Sequence, residues 1–273
     1  MVRFIVSGLL IVLNLAATQV GFAGATIEEA ESLFDQREGS FEKIEQSRAK
    51  FLEVLKAGGL ERTDLINVIE KLARLAIYEY DMLPKKTENE HKLKVMDQCV
   101  KLTEQLDPAK IGTNPQYYYY RMACLGLWGK AKGVSLDVLL RLPEIRDLYK
   151  KGAAQADYKK YAGGGLDRIA GAIEYNIPTG SIDKSIKFLQ EAVASEAHPE
   201  SENPQTENGK SYYINYFFLA EAMQKADRID EARQIVEEAL ERIEDDADLP
   251  VGREPETKVH RQDLRNLLKE FGN

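Results

Sequence analysis

The sequence predicts an all-α fold in which short antiparallel helices pair and stack into a solenoid. Apolar residues recur at helical spacing from Thr26 to Phe271, and Gly and Pro cluster between these segments. Small residues also recur at fixed places in the second half of the chain. The clearest example is Tyr216-x2-Leu219-Ala220-x2-Met223, followed by Ala232-x3-Val236-x2-Ala239. Small side chains at such places let two helix backbones approach closely, so the spacing has a packing cause.

Four helices are predicted in the first half of the chain. Ser and Thr precede helices because their side chains cap the N–H groups of the first turn, and Gly or Pro ends them. The predicted helices run from Thr26 to Gly39, from Ser40 to Gly58, from Thr63 to Pro84 and from Leu93 to Pro108.

The second half repeats this pattern. Pro143 is expected to kink or restart the helix that Ser135 begins. The polar stretch 198–210 contains Pro residues and is expected to be a mobile loop. The predicted helices run from Asn114 to Gly133, from Ser135 to Leu148, around Ile169, from Ser181 to Ala192, as a pair within 211–244, and from Val259 to Phe271.

About four to five helix pairs result, and the last helix caps the apolar face that the final pair would otherwise expose. Helix pairs with small residues at these positions are typical of tetratricopeptide (TPR) repeats. We therefore predict a TPR-like helical-repeat domain over residues 26–273. Only the unit at 211–244 keeps both halves of the spacing.

Residues 1–25 have the pattern of a cleavable secretory signal. Arg3 precedes an apolar run from Phe4 to Ala17, and the segment closes on Ala23-Gly24-Ala25. Polar residues interrupt the stretch, whereas a spanning helix needs about 20 apolar residues. We expect export to the periplasm or secretion. Membrane contact is expected only through this segment, if it is retained as an anchor.

Cys99 and Cys124 each lie among apolar residues of a predicted helix. Buried thiols act as small hydrophobic groups, so packing is the simpler interpretation. Export would also permit a disulfide between consecutive helices. No C-x-x-C pair indicates a redox role.

Composition argues against several function classes. The chain has 273 residues, a net charge of -8 and no dense basic block, so no nucleic-acid partner is expected. His91, His198 and His260 lack metal-ligand spacing, so we expect no metal and no cofactor. No nucleophile motif appears, and a solvated helix face accounts for the carboxylates from Glu237 to Asp246. We predict no catalytic residues.

The consecutive residues Tyr117, Tyr118, Tyr119 and Tyr120, followed by Trp128, form the richest aromatic group. Four consecutive side chains point all round a helix, so two of these tyrosines should face outward or into a groove if the others pack. Exposed aromatic residues with polar tips suit contact with a protein or an amphipathic ligand. Alternatively, the rings fill spaces between repeats.

Three further residues are candidates for partner or ligand binding. Arg168 follows the turn Gly163–Gly165, and it either holds carboxylate or carbonyl groups across that turn or contacts a partner. The glycines suit a tight turn rather than a phosphate loop, since neither a P-loop Lys-Ser/Thr pair nor a preceding strand is present. Tyr212 and Tyr213 adjoin the expected loop and could contact a partner.

From about Ile69 onward the chain resembles the TatT family, whose members are TPR proteins associated with tripartite ATP-independent periplasmic (TRAP) transporters. The resemblance lies in a glycine run with a trailing Arg and Gly and in several shorter pieces. These are Tyr161-Ala162-Gly163-Gly164-Gly165-x2-Arg168-x2-Gly171, Gly129-Lys130-Ala131, Gly133, Leu142-Pro143-Glu144-Ile145, Asn176-Ile177-Pro178, Ser181-Ile182-Asp183-Lys184-Ser185 and Leu219-Ala220-Glu221.

The resemblance implies an exported helical protein that partners the solute-binding component of such a transporter, and a homotrimer around a pore. The chain departs from lipid-anchored members because it lacks their lipobox cysteine, and residues 198–210 look like an insertion. The predicted function is therefore that of a non-enzymatic adaptor with a protein partner. Two alternatives are a carrier of a small hydrophobic ligand in a groove or pore, and a cell-envelope scaffold with no transporter link.

Overall fold

The computed structural model describes residues 27–82, 89–111, 115–133, 135–155, 158, 163–196, 213–241 and 254–272. Over these residues the chain is helical and contains no strand, so the all-α prediction is confirmed. The predicted signal segment, the stretch 198–210 and Tyr212 lie outside the described residues. The helices are α1 (27–35), α2 (Phe41–Ala57), α3 (Arg62–Met82), α4 (Asn89–Thr103), α5 (Pro108–Ile111), α6 (Pro115–Lys132), α7 (Leu136–Ala153), α8 (Gly165–Asn176), α9 (Ile182–Glu196), α10 (Tyr213–Lys225), α11 (Ile229–Glu241) and α12 (Glu254–Phe271).

The chain divides into two compact units between Glu79 and Tyr80. In the first unit, the buried ring of Phe34 in α1 is contacted by cationic side chains. The Arg37 guanidinium lies 4.0 Å and the Lys71 ammonium 4.3 Å from the centre of the Phe34 ring. Desolvation by burial lowers the pKa of Lys71. The core of this unit therefore holds cations against an aromatic face.

The second unit is a chain of pairwise helix contacts from α4 to α12. Helix α6 packs against α4, α7 and α8, then α8 packs against α9, and α9 against α10. A disulfide joins Cys99 of α4 to Cys124 of α6, with the Cα atoms 5.6 Å apart. The two cysteines are therefore joined in a disulfide, and the interpretation that they are free buried thiols is wrong. Helix α12 covers both α10 and α11.

Helices α8 and α9 approach closely because two glycines face α9. A Cβ atom on Gly171 would lie 2.6 Å from Leu189 Cγ, and one on Gly164 would lie 2.7 Å from Ala192 Cα. Gly164 also has a φ of 70°, where an L side chain is strained. The Ser185 hydroxyl donates to the Gly171 carbonyl at 2.8 Å. The predicted tight turn is confirmed.

The α10–α11 pair buries the residues that its spacing singled out. Tyr216, Leu219, Ala220, Met223, Ala232, Val236 and Ala239 all lie in one core with Leu264, Leu267 and Phe271 of α12. The turn between the helices is a Schellman motif. In it the Arg228 N–H donates to the Met223 carbonyl at 2.9 Å, and Asp227 has a φ of 61°.

The structure differs from the sequence predictions at α7 and α5. Helix α7 runs through Pro143 without restarting. Pro143 is exposed, so water can replace the helical hydrogen bond that its ring removes. The short helix α5 was not predicted. Within the part of the chain that the structure describes, no helix has the length and apolar character needed to cross a membrane.

Candidate functional site on helix α7

The tyrosines of α6 are mostly core residues. Tyr118, Tyr119 and Tyr120 are buried, and only Tyr117 is half-buried. The prediction that two of the four face outward or into a groove is wrong, because α6 is packed by α4, α7 and α8 on several sides at once and three of the rings are buried. These buried rings fill the space between helices, which was the alternative interpretation.

Trp128 lies near the other end of α6 and is half-buried. Its indole N–H donates to the Asp97 carboxylate at 2.7 Å, and the Lys132 ammonium lies 4.9 Å from its ring. Trp128 therefore already has polar and cationic neighbours within the chain. Part of its surface remains accessible.

Arg168 is buried at the centre of a polar network between helices. Its guanidinium donates to the Asn215 side-chain oxygen at 2.7 Å and to the Tyr119 hydroxyl at 3.0 Å. The Asn215 amide in turn donates to the Gly163 carbonyl at 2.9 Å. The Asn215 amide therefore holds the Gly163 carbonyl of the turn. Arg168 therefore joins α6, α8 and α10, and its burial removes it from any contact surface.

Tyr213 is also buried, in the core that α10 shares with α9 and α12. The prediction that it could contact a partner is wrong, because the first turn of α10 is covered. Tyr212 lies outside the described residues.

Helix α7 carries an apolar face that nothing in the described structure covers. Leu136 is 70% exposed, Leu140 67% and Leu139 37%. Leucines at i, i+3 and i+4 lie together on one side of a helix. We call Leu136, Leu139 and Leu140 the leucine stripe. Among the described residues, Phe41 is the other exposed large hydrophobic side chain.

The opposite side of α7 is held in the core. Leu142, Ile145 and Leu148 are buried there. The Arg121 guanidinium of α6, itself buried, donates to the Glu144 carboxylate at 2.7 Å. The leucine stripe is therefore presented on a helix whose position is fixed from behind.

Sequence reasoning predicted the helix but did not separate these leucines from the other apolar residues of α7. A signal was nevertheless present. Residues 136–148 contain more apolar positions than one helical face can hold, with one set at Leu136, Leu139 and Leu140 and a second at Leu142, Ile145 and Leu148. A helix that is apolar on two sides predicts a second contact.

A shallow groove adjoins α7 on the side facing α8 and α9, with a volume of about 90 Å³. We call it the α7–α8 groove. Its floor is apolar, and Arg146 and Glu174 are its charged residues. The apolar floor is formed by Met122, Leu142, Ile145, Ile173 and Phe188.

The polar groups of the groove are partly engaged within the chain. The Tyr149 hydroxyl donates to the buried Asp167 carboxylate at 2.7 Å. Burial, and then this hydrogen bond, raise the pKa of Tyr149, so the phenol is protonated at neutral pH. The Glu174 carboxylate accepts from the Ser181 backbone N–H at 3.1 Å. Arg146 is exposed.

These groups do not form a metal centre. Over the described ranges, no group of three His, Cys, Asp or Glu residues could hold a metal ion.

No protein-family model, curated protein or solved structure matches the chain.

Proposed function

We propose that this chain is an exported, non-enzymatic helical-repeat adaptor that binds a protein partner through the leucine stripe of α7. The observation that carries the proposal is the exposure of three leucines on one side of a helix whose other side is anchored in the core. Burying a leucine side chain fully contributes about 1.5–3 kcal/mol. Contiguous apolar surface on a soluble protein is typical of an interaction site.

The α7–α8 groove is too small to be the binding site of a carrier of small hydrophobic molecules. Pockets that enclose such ligands typically measure about 300–1,000 Å³. The groove has only about 90 Å³. It can take the end of a side chain from a partner more readily than it can enclose a whole ligand.

The resemblance to the TatT family supports the finer part of the proposal. Its most specific piece, from Gly163 to Gly171, coincides with the close α8–α9 packing and the buried Arg168 network. The α10–α11 pair has the packing expected of a TPR unit. We infer a TPR-like solenoid, exported by means of residues 1–25. Its partner is the solute-binding component of a TRAP-type transporter.

Site-specific photo-crosslinking tests this proposal. A photoreactive phenylalanine replaces Leu140 in the full chain, and crosslinked partners in the cell envelope are identified by mass spectrometry. We expect a periplasmic solute-binding protein to be recovered. A matched probe at Phe41, which is exposed on the first unit, should not recover it.

The variant Leu136→Ser/Leu140→Ser tests the same proposal by a measurement of binding affinity. We expect the affinity for the recovered protein to fall at least about tenfold while helicity is unchanged, because the substituted side chains are largely exposed. Phe41→Ser serves as the control and should keep wild-type affinity. Equal binding by all three proteins would remove the leucine stripe as the site.

A further inference from the structure

We infer that the partner presents an acidic amphipathic helix to α7. On this view the leucine stripe packs against its apolar side, and Arg146 and Lys150 pair with its carboxylates. The inference rests on the proposed adaptor function and names the chemistry of the partner. Leucines at i, i+3 and i+4 form the kind of ridge that packs between the side chains of a second helix.

The charge of this region is opposite to that of the chain. Residues 130–151 contain six Lys or Arg and three Asp or Glu, which makes a net charge of +3, whereas the whole chain carries -8. A local excess of one sign beside an apolar patch steers partners of the other sign. An acidic partner fits this surface and a basic one is repelled by it.

The acidic residues of this segment are already paired within the chain. Asp137 pairs with Lys132, Glu144 with Arg121 and Arg141, and Asp147 with Lys151. Arg146 and Lys150 are exposed and form no ion pair within the described residues. They are the cations of α7 that remain for a partner.

Arg146 and Lys150 lie beside the leucine stripe. Arg146 follows Leu139 by seven residues, which returns to nearly the same side of a helix, and Lys150 follows Arg146 by four. A partner helix on the leucines therefore passes both cations. Glu or Asp residues that flank the apolar side of the partner helix can reach the Arg146 guanidinium and, one turn further on, the Lys150 ammonium.

The α7–α8 groove adds a place for one apolar side chain. Arg146 borders it, and its volume is about 90 Å³. A cavity of about 150 Å³ accommodates benzene, so this groove suits the end of an aliphatic side chain. A partner helix with one protruding Leu or Ile beside its acidic residues matches the groove and the cation together.

Two synthetic peptides of equal length test the inference on the intact protein. The acidic peptide has Leu at i, i+3, i+4 and i+7 and Glu elsewhere, and the basic peptide has Lys in place of each Glu. Binding is measured by fluorescence anisotropy. We expect the acidic peptide to bind at least about tenfold more tightly than the basic one, with affinity falling as salt rises.

Charge reversal at Arg146→Glu/Lys150→Glu should invert that preference while circular dichroism stays unchanged. The matched control is Lys184→Glu/Lys187→Glu, which makes the same charge change on exposed positions of α9 and should leave the preference as it is. If both double variants behave alike, the assignment of Arg146 and Lys150 is overturned.

The remaining outcomes separate this inference from the adaptor proposal. If Leu136→Ser/Leu140→Ser removes binding of the natural partner but charge reversal does not, the acidic helix is wrong and the adaptor stands. If phosphatidylglycerol vesicles sediment the wild type but not the leucine variant, and neither peptide binds, the face is a membrane contact. If sedimentation velocity shows that the wild type is an oligomer and that the leucine variant is a monomer, the face is covered by a second copy of this chain. Either of the last two results overturns the inference.

Discussion

The α6–α7 pair and the α10–α11 pair are both antiparallel helix pairs of the second unit, but their outer helices differ. The outward side of α11 carries exposed carboxylates at Glu237, Glu238 and Glu241, and its apolar side is buried under α12. The outward side of α7 instead carries the leucine stripe. One pair is complete within the chain, and the other retains a face that a second molecule can cover.

The difference shows that apolar content alone does not identify a core helix. Both α7 and α11 bury a regular set of apolar residues, yet only α7 has a second apolar set. The first set accounts for folding, because it packs against neighbouring helices. The second set is not needed for packing within the described structure, so we attribute its presence to the binding of another molecule.

The largest expected effect comes from a Leu→Ala substitution in the core, which we compare with the same substitution in the leucine stripe. Leu264→Ala removes a fully buried side chain from the α10–α12 core, and we expect it to lower the free energy of unfolding by about 2–5 kcal/mol. Leu140→Ala should change it by less than about 0.5 kcal/mol, since that side chain is 67% exposed. Urea unfolding measures both. A similar loss at the two sites would mean that the stripe is part of the core.

A second prediction concerns the network that joins the two pairs. Asn215→Ala removes the amide that receives a hydrogen bond from Arg168 and donates one to the Gly163 carbonyl. We expect the free energy of unfolding to fall by about 2 kcal/mol, because buried polar groups lose their partner. Asn176→Ala is the control, since Asn176 is exposed and bonds only the preceding turn of its own helix. Equal values for the two variants would argue that the network contributes nothing to stability.

A third prediction uses acid. Burial alone would raise the pKa of Glu144, but hydrogen bonds from Arg141 and Arg121 outweigh it and lower this pKa below its ordinary value. The folded state therefore favours the carboxylate. This stabilisation is present above the unfolded-state pKa and is lost as pH falls through the folded-state pKa.

We therefore expect Glu144→Gln to be less stable than the wild type at neutral pH and to lose less stability between about pH 5 and pH 3. The matched change Glu231→Gln removes an exposed ion pair between Glu231 of α11 and Arg228, which precedes that helix, and its effect should be smaller. Urea unfolding across this pH range provides the comparison. Parallel pH profiles for wild type and Glu144→Gln would contradict the prediction.

The smallest effect is expected at the turns of the two pairs. The α10–α11 turn has Asp227 at a φ of 61°, and the α6–α7 turn has Gly133 at 73°. Glycine adopts this region without strain, so Asp227→Gly should raise the melting temperature and Gly133→Asp should lower it. Each substitution should change the free energy of unfolding by about 0.5–1 kcal/mol. A Cβ atom on Gly133 meets nothing within 4 Å, so only backbone strain is tested there.

Much of the local structure could be predicted from sequence. Ser40 caps α2 as expected, with its hydroxyl accepting from the Lys43 N–H at 3.2 Å, and the small residues of the α10–α11 unit are buried. These features follow from contacts within a few residues or from helical periodicity. The Tyr118 to Tyr120 burial could not be predicted this way, because it depends on how many helices surround α6. The same holds for the partners of Arg168, one of which is 47 residues away in sequence.

By itself the sequence determined that the chain is helical, where most helices begin and end, and which positions let helices approach closely. Helical periodicity, capping residues and Gly or Pro are local causes, and they act before any tertiary contact forms. Only the tertiary structure decided which of the two apolar sets of α7 is buried, that Cys99 and Cys124 are joined, and that Arg168 is a core residue. Burial depends on the packing of segments distant in sequence, and periodicity within one helix cannot specify which of its apolar sides another helix will cover.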